Sequence, residues 1–152
     1  MYVTYINLPR IPQELLDEIT DEYILSQKNN AFPENDPKYK IMKHIYSSIP
    51  PTDNLNQWCK ENICKSIKWF VQVIRTDLPM HKDIGATIKF NYIFNQGNED
   101  VETTFYEDDK ETILHSEVIM PHRWHMLKVD TMHRAWNLTP GKKRLSISGC
   151  IF

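Results

Sequence analysis

From Lys68 to the C-terminus the sequence is a series of short β-branched and aromatic runs, separated by turn-forming segments. Trp69-Phe70-Val71-Gln72-Val73-Ile74 opens the series, and the stretches 87–94, 101–106, 112–120, 124–129 and 145–152 continue it. Residues of these types favour a pleated, half-buried surface. Asn95-Gln96-Gly97-Asn98 and Thr139-Pro140-Gly141 supply turn chemistry between runs. Many short strands joined this way predict an antiparallel barrel or jelly roll.

Residues 1–67 follow a different period. Pro12-Gln13-Glu14-Leu15-Leu16-Asp17-Glu18-Ile19 opens a helix, with proline in the first turn and acids near its positive end. Leu15, Leu16, Ile19, Tyr23 and Ile24 recur at three- and four-residue spacing as one amphipathic stripe. The stretch 29–37, with Pro33 and Pro37, reads as a loop, and 39–47 and 54–65 as two further helices, the second capped by Asp53. The expected fold class is α+β: one domain over 1–152, in which helices in 1–67 support a double-stranded β-helix (jelly-roll, cupin-like) barrel in 68–152.

With 152 residues the chain has the length of one domain and can bury a core without disulfides or a structural metal. A formal charge of −2 argues against a partner recognised mainly through charge, such as duplex nucleic acid or an anionic membrane. The start has no basic segment followed by an apolar core, and no apolar run approaches a membrane span. Cys59, Cys64 and Cys150 are an odd number, and no second pair completes a zinc site around Cys59 and Cys64. Free thiols in a reducing compartment follow, so the expected location is cytoplasmic.

His81-Lys82-Asp83 lies between two predicted strands. In an extended segment residues i and i+2 share a face, so His81 and Asp83 can offer neighbouring ligands to one metal. His133, before the last strand, completes two histidines and one carboxylate, the facial ligand set of non-haem Fe(II) oxygenases. Downstream, Arg144-Leu145-Ser146 begins a strand in which Arg144 and Ser146 share a face among apolar positions that include Ile147, Cys150 and Phe152. A buried arginine requires an anionic partner; its planar fork suits a carboxylate, and a serine hydroxyl can bond the same group. A dicarboxylic 2-oxo acid fits both features, its keto acid end on the metal and its distal carboxylate on Arg144.

His-x-Asp, a distal His and an Arg-x-Ser shortly after it resemble the fingerprint of the 2-oxoglutarate/Fe(II)-dependent oxygenases. Asn91, Thr104-Phe105-Tyr106 and the run from Trp124 through Leu127, Val129, Asp130, Thr131, Met132, His133, Arg134, Ala135 and Trp136 to Asn137 are similar to small phage and bacterial members and to the aspartyl/asparaginyl hydroxylase-like branch. The resemblance covers Trp69 to the C-terminus. It implies a jelly-roll dioxygenase using Fe(II), 2-oxoglutarate and O2. Such an enzyme hydroxylates a peptide or protein side chain or a small metabolite and releases succinate and CO2. By position, His81, Asp83 and His133 would hold iron, and Arg144 and Ser146 the cosubstrate's distal carboxylate. Asn91 or Tyr92 would add a cosubstrate contact; neighbouring strand residues face opposite ways, and Asn91 is the favoured one. Prolyl-hydroxylase-like members carry lysine where this chain has Arg144, and a glycine pair where it has Asp100-Val101-Glu102. Related halogenases lack the carboxylate that Asp83 supplies.

The competing reading is a non-enzymatic cupin-like module that binds a metal or small ligand; such a module has no need of the complete set His81, Asp83, His133 and Arg144. His122 and His125 stand three apart, so in a strand they point to opposite faces. Trp58, Trp69 and Trp124 are expected in packing, and Trp136 near a pocket mouth.

Overall fold

A computed structural model describes residues 1–151; Phe152, read above as an apolar strand position, lies outside the described residues. The chain runs through β1 (Val3–Tyr5), α1 (Gln13–Leu16), α2 (Asp21–Ser26), α3 (Tyr39–Met42), β2 (Tyr46–Ile49) and α4 (Asp53–Asn62). It continues with β3 (Trp69–Ile74), β4 (Ile88–Asn95), β5 (Glu102–Tyr106), β6 (Ile113–Glu117), β7 (Trp124–Lys128), β8 (Met132–Trp136) and β9 (Arg144–Ile151). A six-stranded sheet has the order β1-β7-β4-β9-β3-β2, and a three-stranded sheet the order β6-β5-β8. Every pairing is antiparallel. The result is a β-rich α+β fold. Both sheets are open, and no continuous hydrogen-bonded barrel forms among the described residues.

Strand alternation divides the large sheet into two faces. Leu145 and Ile147 of β9, Trp69, Val71 and Val73 of β3, Tyr92 of β4 and Trp124 of β7 form one core with Leu16, Ile24, Leu55 and Cys59 from the helices. Full burial of such a side chain contributes about 1.5–3 kcal/mol. The other face meets the small sheet: Val3, Ile93 and Leu127 pack with Phe105 of β5. Polar groups occupy the rest of that interior, among them Gln72, Lys89, Asn91, Thr103, His125, Arg144, Ser146 and Ser148.

Several expectations need correction. The stripe from Leu15 to Ile24 is not one helix, because Thr20 is extended and its side chain accepts a bond from Tyr23 N, starting α2 afresh. The predicted helix 39–47 stops at Met42, and Tyr46–Ile49 pairs with β3 instead. Residues 1–67 are therefore not purely helical support; they contribute both edge strands of the large sheet. The cap of α4 is Thr52, whose Oγ1 accepts from Leu55 N at 3.4 Å and donates to Glu18 Oε1 at 2.6 Å. No described helix is long and apolar enough to cross a membrane.

Candidate metal centre

The His81-Lys82-Asp83 segment is pinned by its backbone. His81 N donates to His133 O at 3.0 Å and His133 N returns a bond to His81 O at 2.9 Å, an isolated antiparallel bridge. Asp83 N donates to Val129 O at 2.9 Å. A segment distant in sequence is thus laid beside β8, with the two imidazole centroids 4.4 Å apart.

Each imidazole is oriented by its own backbone. His81 Nδ1 lies 2.7 Å from Pro79 O, and His133 Nδ1 lies 2.7 Å from Thr131 O. A carbonyl only accepts, so each Nδ1 carries a proton, and in the neutral tautomer this fixes, Nε2 presents a lone pair. Both lone pairs meet Asp83 Oδ1, at 3.4 Å from His81 Nε2 and 3.6 Å from His133 Nε2. With the rings neutral these are three converging acceptors, which a shared cation, a proton or a metal ion, can bridge. Two cis ligands each ~2.1 Å from a metal stand ~3 Å apart, close to this spacing. Among the described residues, His81, Asp83 and His133 are the group of His, Cys, Asp or Glu whose ligand atoms lie within 4.8 Å of one another.

Electrostatics keep His133 neutral and Asp83 ionised. Burial pushes the His133 pKa down to about 4, and the neighbouring His81 acts in the same direction. Burial alone would raise Asp83. The His81 contact, the Lys89 charge and the Lys89 hydrogen bond outweigh it and hold the carboxyl below the ordinary carboxylate range. Side-chain exposure is 9% for His133 and 16% for Asp83 but 38% for His81, so the cluster opens to solvent on the His81 side.

Arg144 shares this interior. It is 4% exposed, and among the described residues its Nη1 reaches Thr103 Oγ1 alone, at 3.4 Å, while its Nε has no partner. No acid of the described residues pairs with it, and burial lowers its pKa to about 10. An unpaired buried guanidinium calls for an anion. Thr103, which meets Arg144, and Phe105, whose ring lies 5.8 Å from that of His133, are two apart on β5. Arg144 and His133 therefore both face the interior between the sheets, meeting side chains two positions apart on β5.

The remaining predicted residues divide. Ser146 faces this interior and donates to Gln72 Oε1 at 3.1 Å, leaving its lone pairs free. Asn91 faces it too: its Nδ2 lies 3.1 Å from His125 Nε2, and its Oδ1 accepts from Ser148 Oγ at 2.5 Å. Tyr92 points the other way, its ring 5.1 Å from Trp124 in the helix-side core, and strand alternation removes it from the site. Trp136 is also corrected. It lies on the face of β8 opposite His133, donating to Thr104 Oγ1 at 2.8 Å with Arg134 over its ring. His122 and His125 do face apart, toward Tyr92 and Asn91 respectively. An apolar groove of about 750 Å³, lined by Ile6, Ile63, Ile67, Phe90 and Met126, holds none of the site residues.

Lys89, Gln72 and Thr103 join this interior without any motif in the sequence that marks them, and His125 joins it through Asn91 rather than through His122. The signal for Lys89 is the alternation Ile88-Lys89-Phe90-Asn91-Tyr92, which marks a strand apolar on one face and polar on the other.

A scan against protein-family models finds no match, and neither does a search of curated proteins. Among solved structures the chain is similar to hydroxypropylphosphonic acid epoxidase from S. wedmorenis in complex with fosfomycin. The identity is 12% and the TM-score 0.44, over 88% of this chain and 62% of that one. This chain thus spans less than two thirds of that protein's length, and a likeness of this size carries no functional argument. The centre itself is a β-rich scaffold's His/Asp/His cluster with the donor set of a mononuclear, iron-type metal site.

Proposed function

We propose that this chain is an Fe(II)- and 2-oxoglutarate-dependent dioxygenase on a jelly-roll scaffold whose two sheets wall the chamber. The observations that carry the reading are two features of the interior between the sheets: the converging His81, Asp83 and His133, and a buried guanidinium, Arg144, with no acid among the described residues to pair with it. A metal answers the first and a carboxylate the second, and a dicarboxylic 2-oxo acid joins them.

His81, Asp83 and His133 would hold the iron. Arg144, with Ser146 beside it, would take the distal carboxylate and fix its direction by a charge-assisted fork. Bound Fe(II), with 2-oxoglutarate and O2, supplies oxidation of a substrate C–H bond with release of succinate and CO2. The protein's own work is orientation. Pro79 O and Thr131 O hold the imidazole tautomers. The ladder Gln72, Ser146, Ser148, Asn91 and His125 keeps the chamber wall polar and hydrogen-bonded around the clamp. Phe105 closes the His133 side against water. Substrate enters over His81, and a peptide or protein side chain or a small metabolite is the class proposed.

Anaerobic titration with Fe(II) and 2-oxoglutarate tests this. A visible metal-to-ligand absorption band is expected, lost in His81→Ala and weakened in Arg144→Ala, with slow succinate release once air is admitted. Iron binding with no 2-oxoglutarate binding would leave a cupin-like metal module instead.

A further inference from the structure

Asp83 divides its two oxygens. Oδ1 faces His81 Nε2 and His133 Nε2, while Oδ2 accepts from Lys89 Nζ at 2.8 Å. Lys89 is 7% exposed, and Asp83 is its ion-pair partner among the described residues. It stands on β4 two residues before Asn91, on the chamber face, with the Phe70 ring 6.0 Å from Nζ. Nothing in the proposed reaction assigns it a task.

We infer that Lys89 is a positioning residue that makes Asp83 a one-oxygen ligand and sets its rotation before any metal arrives. The backbone bond from Asp83 N to Val129 O places the residue but leaves its terminal torsion free, and that torsion is intrinsically broad. A carboxylate free to turn can offer a metal both oxygens or neither. With Oδ2 tied to a buried ammonium, Oδ1 alone is presented to the space between the imidazoles. Metal and lysine then use different oxygens, so the ion pair survives loading.

The alternative is a purely structural ion pair, and the two readings predict opposite signs. An ammonium beside a divalent cation repels it, so by charge alone the loss of Lys89 strengthens metal binding. Loss of a positioning residue weakens it.

The inference rests on the metal-centre reading, and Co(II) alone, without 2-oxoglutarate, tests it on the full chain. Lys89→Met is expected to bind Co(II) about 10–100-fold more weakly than the native protein, as for other groups that orient a metal ligand. Its visible Co(II) bands are also expected to lose intensity as Asp83 turns to offer both oxygens. Lys89→Arg, which keeps a charged donor to Oδ2, recovers most of the affinity. Thermal unfolding checks the fold, and Lys89→Gln supplies the same comparison if the methionine variant does not fold. Equal or tighter Co(II) binding in the neutral variants overturns the proposal. Failure of the native protein to bind Co(II) overturns it together with the metal centre. The expected Co(II) losses in the Lys89 variants, with no 2-oxoglutarate binding in a separate titration, support Lys89 and remove only the cosubstrate.

Discussion

Arg144 Nη1, on the central strand of the large sheet, reaches across the interior to Thr103 Oγ1 on the small sheet at 3.4 Å. Among the described residues that long contact is all that meets a buried positive charge, whose Nε they leave without a partner. Such a group is a cost to the unliganded fold and a gain to whatever anion enters.

Arg144→Met should therefore separate stability from binding. Replacing buried charge with an apolar side chain of similar length can stabilise a fold by about 1 kcal/mol or more. Urea unfolding of the metal-free variant should show a midpoint at or above the native one. Against a metal-loaded reference, added 2-oxoglutarate should raise the native Tm and move the variant's much less. A variant that unfolds markedly earlier than native would mean that Arg144 holds the sheets together rather than awaiting a ligand.

Two buried histidines give the apoprotein a defined acid response. Burial lowers His133 to about 4 and His125 to about 3. In the unfolded chain both return to about 6.5. Below that value the unfolded state takes up protons that the native state refuses. Stability is complete above about pH 6.5 and falls as pH drops toward about 4, by up to about 1.4 kcal/mol per pH unit for each histidine. Urea unfolding at pH 7, 6 and 5 should show this slope. His125→Gln should lose about half of it, since one of the two depressed histidines is gone. An unchanged slope in the variant would count against His125 being buried neutral.

The cap of α4 offers a local test. Thr52 Oγ1 accepts from Leu55 N and donates to Glu18, tying the helix start to the turn after α1. Thr52→Ala should cost about 1 kcal/mol in urea unfolding, the usual loss for a capping residue. Asp53→Ala removes only a favourable charge in the first turn and should cost about 0.3–1 kcal/mol. The reverse ranking would restore Asp53 as the cap.

What the sequence made legible depended on local pattern. Trp69–Ile74 and Trp124–Lys128 are apolar or aromatic enough to name themselves as strands, and His81, Asp83 and Arg144 follow from residue type and alternation. Val3–Tyr5 is a strand because Leu127, Met126 and His125 stand opposite it, and Tyr46–Ile49 because β3 does. Such edge strands are set by partners far along the chain, which propensity does not see. Met132–Trp136 lacks a strand pattern of its own, and its pairing with β5 is what carries His133 to Phe105. Lys89 was missed for the same reason as the edges: its partner Asp83 is brought to it by the sheet, not by spacing on one strand. Alternation allows only one of Asn91 and Tyr92 to face inward, and the pleat puts Asn91 there and Tyr92 in the helix-side core.

The central strand β9 carries the clamp on one face and accepts the core on the other, and Gly149 is where the core comes closest. A Cβ at that position would lie 2.3 Å from Ile67 Cγ2 and 2.9 Å from Trp69 Cε3. Trp69 has little room to retreat. Its indole donates to Cys64 O at 3.1 Å and stands edge-on to Trp124 at 5.5 Å. Gly149→Ala should therefore destabilise by about 1–3 kcal/mol, the range for an overpacked core. The added methyl faces the helices, while His81, Asp83 and His133 lie on other elements and on the far side of the sheet. Co(II) affinity of the folded variant should match the native value. Paired loss of stability and of metal affinity would show that packing on the helix side of β9 reaches through the sheet to the chamber. Loss of stability alone would show that the two faces are energetically separate.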